Sequence, residues 1–223
     1  MKIAIIVFPG TNRENDIRAA LVTAGVAASN LQLIWHRETA IPAATDLIVL
    51  PGGFSYGDYL RCGAMAAHSP IMREVKSAAA RGVAVLGICN GFQILCESGL
   101  LPGVLLSNQG LKFVCREVEL EVATNQSIYS RKMVKGHRLR APVAHHDGNY
   151  FAAPEVLAEL QDRDQIVFKY AADDNPNGSA LNIAGIIDSS RRVLGLMPHL
   201  ENATDPLAGG IAGRAMFDSI LNG

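Results

Sequence analysis

The run Val83, Ala84, Val85, Leu86, Gly87, Ile88, Cys89, Asn90, Gly91, Phe92, Gln93, Ile94, Leu95 decides the fold. An apolar stretch with β-branched residues stops at Gly87 to Gly91 and resumes with helical spacing, Phe92 and Leu95 being followed by Cys96. This reads as a buried strand, a sharp turn and a helix, with Cys89 at the turn.

The same punctuation around a serine forms the nucleophile elbow of α/β hydrolases, where flanking glycines let the backbone bend tightly enough to present the side chain. In this chain the presented atom would be sulfur. A thiol at a helix N-terminus faces the positive end of the macrodipole and unpaired amides, which favour the thiolate. Cys89 is therefore a candidate nucleophile; the alternative is a cysteine that only fills space, as buried cysteines often do.

Upstream, Lys2 to Phe8 is a buried-type strand turned by Pro9, Gly10, Thr11 and Asn12, and Ile17, Ala20, Leu21 and Ala24 recur at helical spacing up to Gly25. Leu31 to Trp35 and Asp46 to Leu50 are two further strands. The second of these ends in Pro51, Gly52, Gly53, Phe54, Ser55, Tyr56, Gly57, Asp58, Tyr59, which is either a surface turn or a loop whose glycines allow a ligand close to the backbone. Ser69 and Pro70 predict a helix start, and Gly82 its end. Strands alternating with helices predict a parallel sheet, with ligands beyond the carboxyl ends of its strands.

Downstream of Val104 the pattern changes. Glu117 to Val122 alternates strictly, as an antiparallel strand with one wet face does. Pro142 to His145, Tyr150 to Ala152, Ile166 to Tyr170, Ile183 to Ile187 and Arg192 to Met197 are further short strands. A final helix covers about 213–221. The fold class is thus α/β, a mainly parallel sheet flanked by helices with a smaller antiparallel annex, and residues 1–223 form one domain.

The last strand is expected to run on through Pro198, His199, Leu200 and Glu201. In an extended backbone His199 and Glu201, two apart, face the same side. An imidazole to move a proton and a carboxylate to orient it are what an activated thiol needs. His145, beside His146, Asp147 and Gly148, is the runner-up base.

Net charge is −1 with histidines neutral, and no Lys/Arg cluster stands out, which argues against a nucleic-acid or membrane surface. The N-terminal apolar run is too short for a signal peptide, and no run approaches a membrane span. The four cysteines form no CxxC pair, so a reduced cytoplasmic protein without a metal site is expected.

Pro51-Gly52-Gly53, Gly87 to Gln93 and Pro198 to Glu201 together resemble the class I, triad-type glutamine amidotransferases, a flavodoxin-like family, over essentially the whole chain. Phe8 to Asn12, Asn90 and Gly52 to Arg61 resemble its purine-biosynthesis branch. The resemblance implies Cys89, His199 and Glu201 as the triad, the backbone amides of Gly53 and Asn90 as an oxyanion hole, and Gly52, Gln93 and Asn108 as glutamine contacts. One preorganised donor of that kind contributes roughly 3 to 4 kcal/mol. Phe113 and Arg116 resemble a segment near the glutamine pocket. The chain departs from the family's frequent His-Gly-Glu-Gly at His145 to Gly148.

The branch that the chain resembles serves amidine formation, which needs ATP, yet no Gly-x-x-x-x-Gly-Lys loop is present. The resemblance places ATP and magnesium on a large synthetase subunit that binds formylglycinamide ribonucleotide, joined by a small auxiliary subunit, and leaves this chain with no cofactor. Alternatives are a glutaminase serving another amidotransferase and a non-catalytic, glutamine-binding regulatory subunit; an intact triad argues against the latter.

Overall fold

In a computed structural model that describes residues 1–207 and 210–221, the elements in chain order are β1 (Ile3–Val7), α1 (Glu14–Thr23), β2 (Leu31–Trp35), β3 (Leu47–Leu50), α2 (Ala64–Ala67), α3 (Pro70–Ala80), β4 (Ala84–Ile88), α4 (Asn90–Glu97), β5 (Val104–Leu106), β6 (Val114–Val122), β7 (Arg138–His145), β8 (Asn149–Phe151), α5 (Pro154–Asp162), β9 (Ile166–Tyr170), β10 (Ile183–Ile187), β11 (Val193–Leu196) and α6 (Arg214–Leu221).

A nine-stranded sheet runs β2-β1-β3-β4-β11-β10-β9-β6-β7, and β5 pairs with β8 in a second, two-stranded sheet. The pairs from β2 to β11 are all parallel. β3 and β4 are buried along their whole length, and β1 for all but its last residue, which is why they read as continuous apolar runs. From β11 to β7 the pairing is antiparallel. The expected antiparallel half is present; most of it continues the main sheet edge to edge, and only β5 and β8 stand apart.

Insertion of the last strand beside the elbow strand positions the site. β11 pairs in parallel with β4, Leu196 opposite Ile88, so the residues following each strand emerge side by side. The chain passes from β1 out to β2 and back to β3, which places the loops after β1, β3, β4 and β11 together at the carboxyl edge.

Two local expectations are corrected and one element is added. The last strand stops at Leu196, and Leu200–Asn202 form a 3-10 turn in place of an extended run to Glu201. Ser69 precedes α3 with Pro70 at its first position, but its hydroxyl hydrogen-bonds the Tyr56 hydroxyl at 3.0 Å and makes no cap. Helix α5 lies where the sequence pattern suggests no element; Pro154 at its first turn and buried Leu160 are its signals. Among the described residues no helix is long and apolar enough to cross a membrane.

Candidate active site

The elbow holds Cys89 at φ 53° and ψ −109°, a conformation that non-glycine residues rarely adopt. Its neighbours enforce it. The Cys89 N–H donates to Leu196 O at 2.8 Å, and the first turn of α4 lies directly on the strands. A Cβ at Gly91 would collide with Leu50 O, and one at Gly87 would lie 2.7 Å from the Gly91 backbone. Both glycines are thus required by close packing as well as by the turn.

His199 arrives from the loop after β11, its N–H donating to Pro142 O at 2.9 Å. The following 3-10 turn folds Glu201 back beneath it, and His199 Nδ1 donates to Glu201 Oε1 at 2.7 Å. Each residue is only 3% exposed. Burial alone would lower the His199 pKa, but the Glu201 carboxylate and the Cys89 sulfur beside the ring outweigh it and hold the imidazole at about 10. The carboxylate fixes Nδ1 as the protonated nitrogen in the neutral ring and leaves Nε2 for the thiol.

Cys89 and His199 open into a cavity of about 270 Å³ whose walls include Asn12, Arg13, Gly53, Phe54, Phe113, Cys115 and Ala144. A larger cavity, about 830 Å³ and lined by His36, Arg37, Tyr56 and Met65 among others, contains none of the triad. The smaller cavity is the candidate site because Cys89 and His199 open into it, not because of its volume. Cys96 is buried, and desolvation pushes its thiol up; burial and the Asp147 carboxylate do the same to Cys62. Among the described residues no group of three or more His, Cys, Asp or Glu side chains is placed to hold a metal.

Gly52 and Gly53 form the wall opposite the elbow. A Cβ on Gly52 would lie 2.9 Å from His199 Cε1 and 3.5 Å from Cys89 Cβ, so only glycine lets this backbone approach the pair. Gly53, at φ 150°, pairs with Thr11. Its neighbours are engaged: Asn12 and Arg13 donate to Gly52 O, Phe54 to Gly10 O, Ser55 to Asn90 Oδ1 and Tyr56 to Pro9 O. Among the described residues the N–H groups of Gly53 and Asn90 have no acceptor.

The structure does not bring the Gln93 and Asn108 side chains into this cavity. Gln93 is buried and tied at both ends, accepting from Asn90 Nδ2 at 2.8 Å and donating to Asp147 O at 2.6 Å. Asn108 donates to Lys112 O and His145 O and accepts from Gly148 N–H, bracing the loop after β7. Phe113 does line the cavity, whereas the Arg116 guanidinium binds Asp174 at 2.5 Å.

His145 is buried outside the triad. Its Nε2 accepts from Asn177 Nδ2 at 2.9 Å, and burial, reinforced by the nearby His199, lowers its pKa to about 4, so it is neutral at pH 7. Arg13 in the cavity wall carries no sequence signal of its own, and Asn12 reads only as part of the turn after β1; their place depends on that loop meeting the loop after β3, which local pattern does not reveal.

The model of the CobB/CobQ-like glutamine amidotransferase domain matches residues 1–215, and the chain belongs to that family. Among full-length relatives, the phosphoribosylformylglycinamidine synthase subunit PurQ of Rhodospirillum rubrum is 56% identical over 99% of this chain and 98% of its own. That of Rhizobium meliloti is 52% identical over 100% and 98%. A chain of the PurLQS structure from Thermotoga maritima superposes with a TM-score of 0.88 at 41% identity, over 99% of this chain and 97% of that one. The glutaminase domain of the Trypanosoma brucei CTPS, at 13% identity and TM-score 0.62 over 99% and 93%, shares the fold alone.

Proposed function

We propose that this chain is the glutaminase subunit of phosphoribosylformylglycinamidine synthase, acting as one domain over residues 1–223. It hydrolyses glutamine to glutamate and ammonia and passes the ammonia to a large synthetase subunit, which converts formylglycinamide ribonucleotide to the amidine in de novo purine biosynthesis. A small auxiliary subunit completes the complex. ATP and magnesium belong to the synthetase, and the compartment is the cytoplasm, in keeping with four unpaired cysteines. The observation that carries the reading is the buried Cys89, His199, Glu201 array facing two unengaged backbone amides.

In this reading the Cys89 thiolate attacks the side-chain amide carbon of glutamine, and the carbonyl oxygen takes the negative charge in contact with the N–H groups of Gly53 and Asn90. His199, protonated, gives its Nε2 proton to the departing nitrogen; the C–N bond breaks, ammonia leaves and a glutamyl thioester remains. Water then adds to the thioester carbon as His199 takes its proton, the C–S bond breaks, glutamate leaves, and the thiolate and the protonated imidazole are restored. Glu201 holds the ring through both steps.

Gly52 admits the substrate amide between loop and elbow, Arg13 offers the cavity a cation for the α-carboxylate, and Gln93 and Asn108 act on the substrate indirectly through the backbone they brace. The test is glutamate release by the purified chain with and without the synthetase, the auxiliary subunit, ATP and formylglycinamide ribonucleotide. A marked rise in the full assembly is expected; turnover indifferent to those partners would reassign the chain to another amidotransferase.

A further inference from the structure

The two unengaged amides lie on different elements, Gly53 in the loop after β3 and Asn90 at the start of α4, and the chain between them is too long to fix their separation. A side-chain strut spans the gap. Asn90 Oδ1 accepts from Ser55 N–H at 3.2 Å, Asn90 Nδ2 donates to Gln93 Oε1 at 2.8 Å, and Gln93 Nε2 donates to Asp147 O at 2.6 Å. Ser55 N–H can only donate and Asp147 C=O can only accept, so both carboxamides have one satisfied orientation. The two carboxamides of the strut and Ser55 at its loop end are buried, Ser55 at 2%, Asn90 at 1% and Gln93 at 5% exposure.

The other side of the loop is already fastened, Phe54 N–H to Gly10 O and Tyr56 N–H to Pro9 O. Among the described residues, the Ser55–Asn90 bond is the one hydrogen bond that ties residues 52–56 to α4. Asn90 therefore carries one amide on its backbone and is hydrogen-bonded through its side chain to the loop that carries the other.

We propose that the Asn90 side chain is a positioning residue that sets the distance between the Gly53 and Asn90 N–H groups, with Gln93 as its anchor. The inference rests on the proposed glutaminase reaction. It assigns the Asn90 carboxamide to the tetrahedral intermediate, because displacement of a preorganised donor weakens that state far more than it weakens ground-state binding.

The test uses Asn90→Leu, of similar size but without polar atoms, and Gln93→Met, which leaves Asn90 in place and removes its anchor, each in the assembled complex. For Asn90→Leu, kcat for glutamine should fall about 10- to 100-fold while KM stays within about 3-fold. Inhibition by the aldehyde analogue of glutamine, whose thiohemiacetal oxygen occupies the same place as the oxyanion, should weaken in parallel. Alkylation of Cys89 by iodoacetamide, which forms no oxyanion, should keep its rate.

Gln93→Met should show the same pattern with a smaller fall, and it decides the matter if Asn90→Leu does not fold. A raised KM with unchanged kcat, alkylation that falls in step with kcat, or no change in either variant would overturn the proposal. Failure of the wild-type complex to use Cys89 at all would instead remove the reaction on which it rests.

Discussion

His199 Nδ1 donates to Glu201 Oε1 across 2.7 Å within a single 3-10 turn, and Glu201 Oε2 beside it has no partner among the described protein atoms. The carboxylate is thus committed to the imidazole. Glu201→Gln removes a charge that raises His199, so the imidazole pKa, followed by NMR, should drop from about 10. Glutaminase kcat should fall on the order of 10²-fold, because the ring loses both its orientation and its support as a cation.

Gly52 and Gly91 separate catalysis from stability. Alanine at Gly52 would place its Cβ 2.9 Å from His199 Cε1, displacing the ring that must meet the thiol. Its kcat/KM should fall by about 10²-fold. Alanine at Gly91 strikes backbone, Leu50 O, which cannot move aside. Gly91→Ala should cost about 1–3 kcal/mol of stability, roughly 2–12 °C in Tm, and calorimetry should show a smaller loss for Gly52→Ala.

Arg13 lines the cavity into which Cys89 and His199 open, with its side chain about two-fifths exposed and paired with Asp16. Arg13→Ala should raise KM for glutamine by about 10-fold with kcat nearly unchanged, the pattern of lost uniform binding. Steady-state kinetics with glutamine and with its α-carboxamide derivative distinguishes a carboxylate contact from a change in cavity shape: the variant should lose discrimination between the two.

His145 links stability to pH. Its pKa is about 4 in the folded chain against an ordinary 6.5, so between those values the unfolded state binds more protons and stability rises with pH. The contribution is complete above pH 6.5 and is lost as pH falls through 4. Urea midpoints at pH 4.5, 5.5 and 7 should show this slope, and His145→Gln should flatten it. His199 acts oppositely: its raised folded pKa contributes stability that is present below pH 6.5 and lost as pH rises through about 10.

The elbow was legible because its cause is local: an apolar run, two glycines and a helical restart within thirteen residues. The partnership of His199 and Glu201 was legible too, but for the wrong geometric reason, since a 3-10 turn and not a strand aligns them. What stayed hidden depends on contacts between distant segments. Gln93 and Asn108 look like substrate contacts until Asp147, His145 and Gly148 are placed against them. Arg13 looks like an ordinary helix-entry residue until the loop after β3 folds over it.

The central claim is that Cys89 releases ammonia from glutamine for use on another subunit. The direct measurement is formation of the amidine by the assembled complex, supplied with either glutamine or ammonium chloride, for wild type and Cys89→Ala. The account predicts that the variant loses glutamine-dependent synthesis and keeps ammonia-dependent synthesis. Retention of glutamine-dependent synthesis by Cys89→Ala would contradict it.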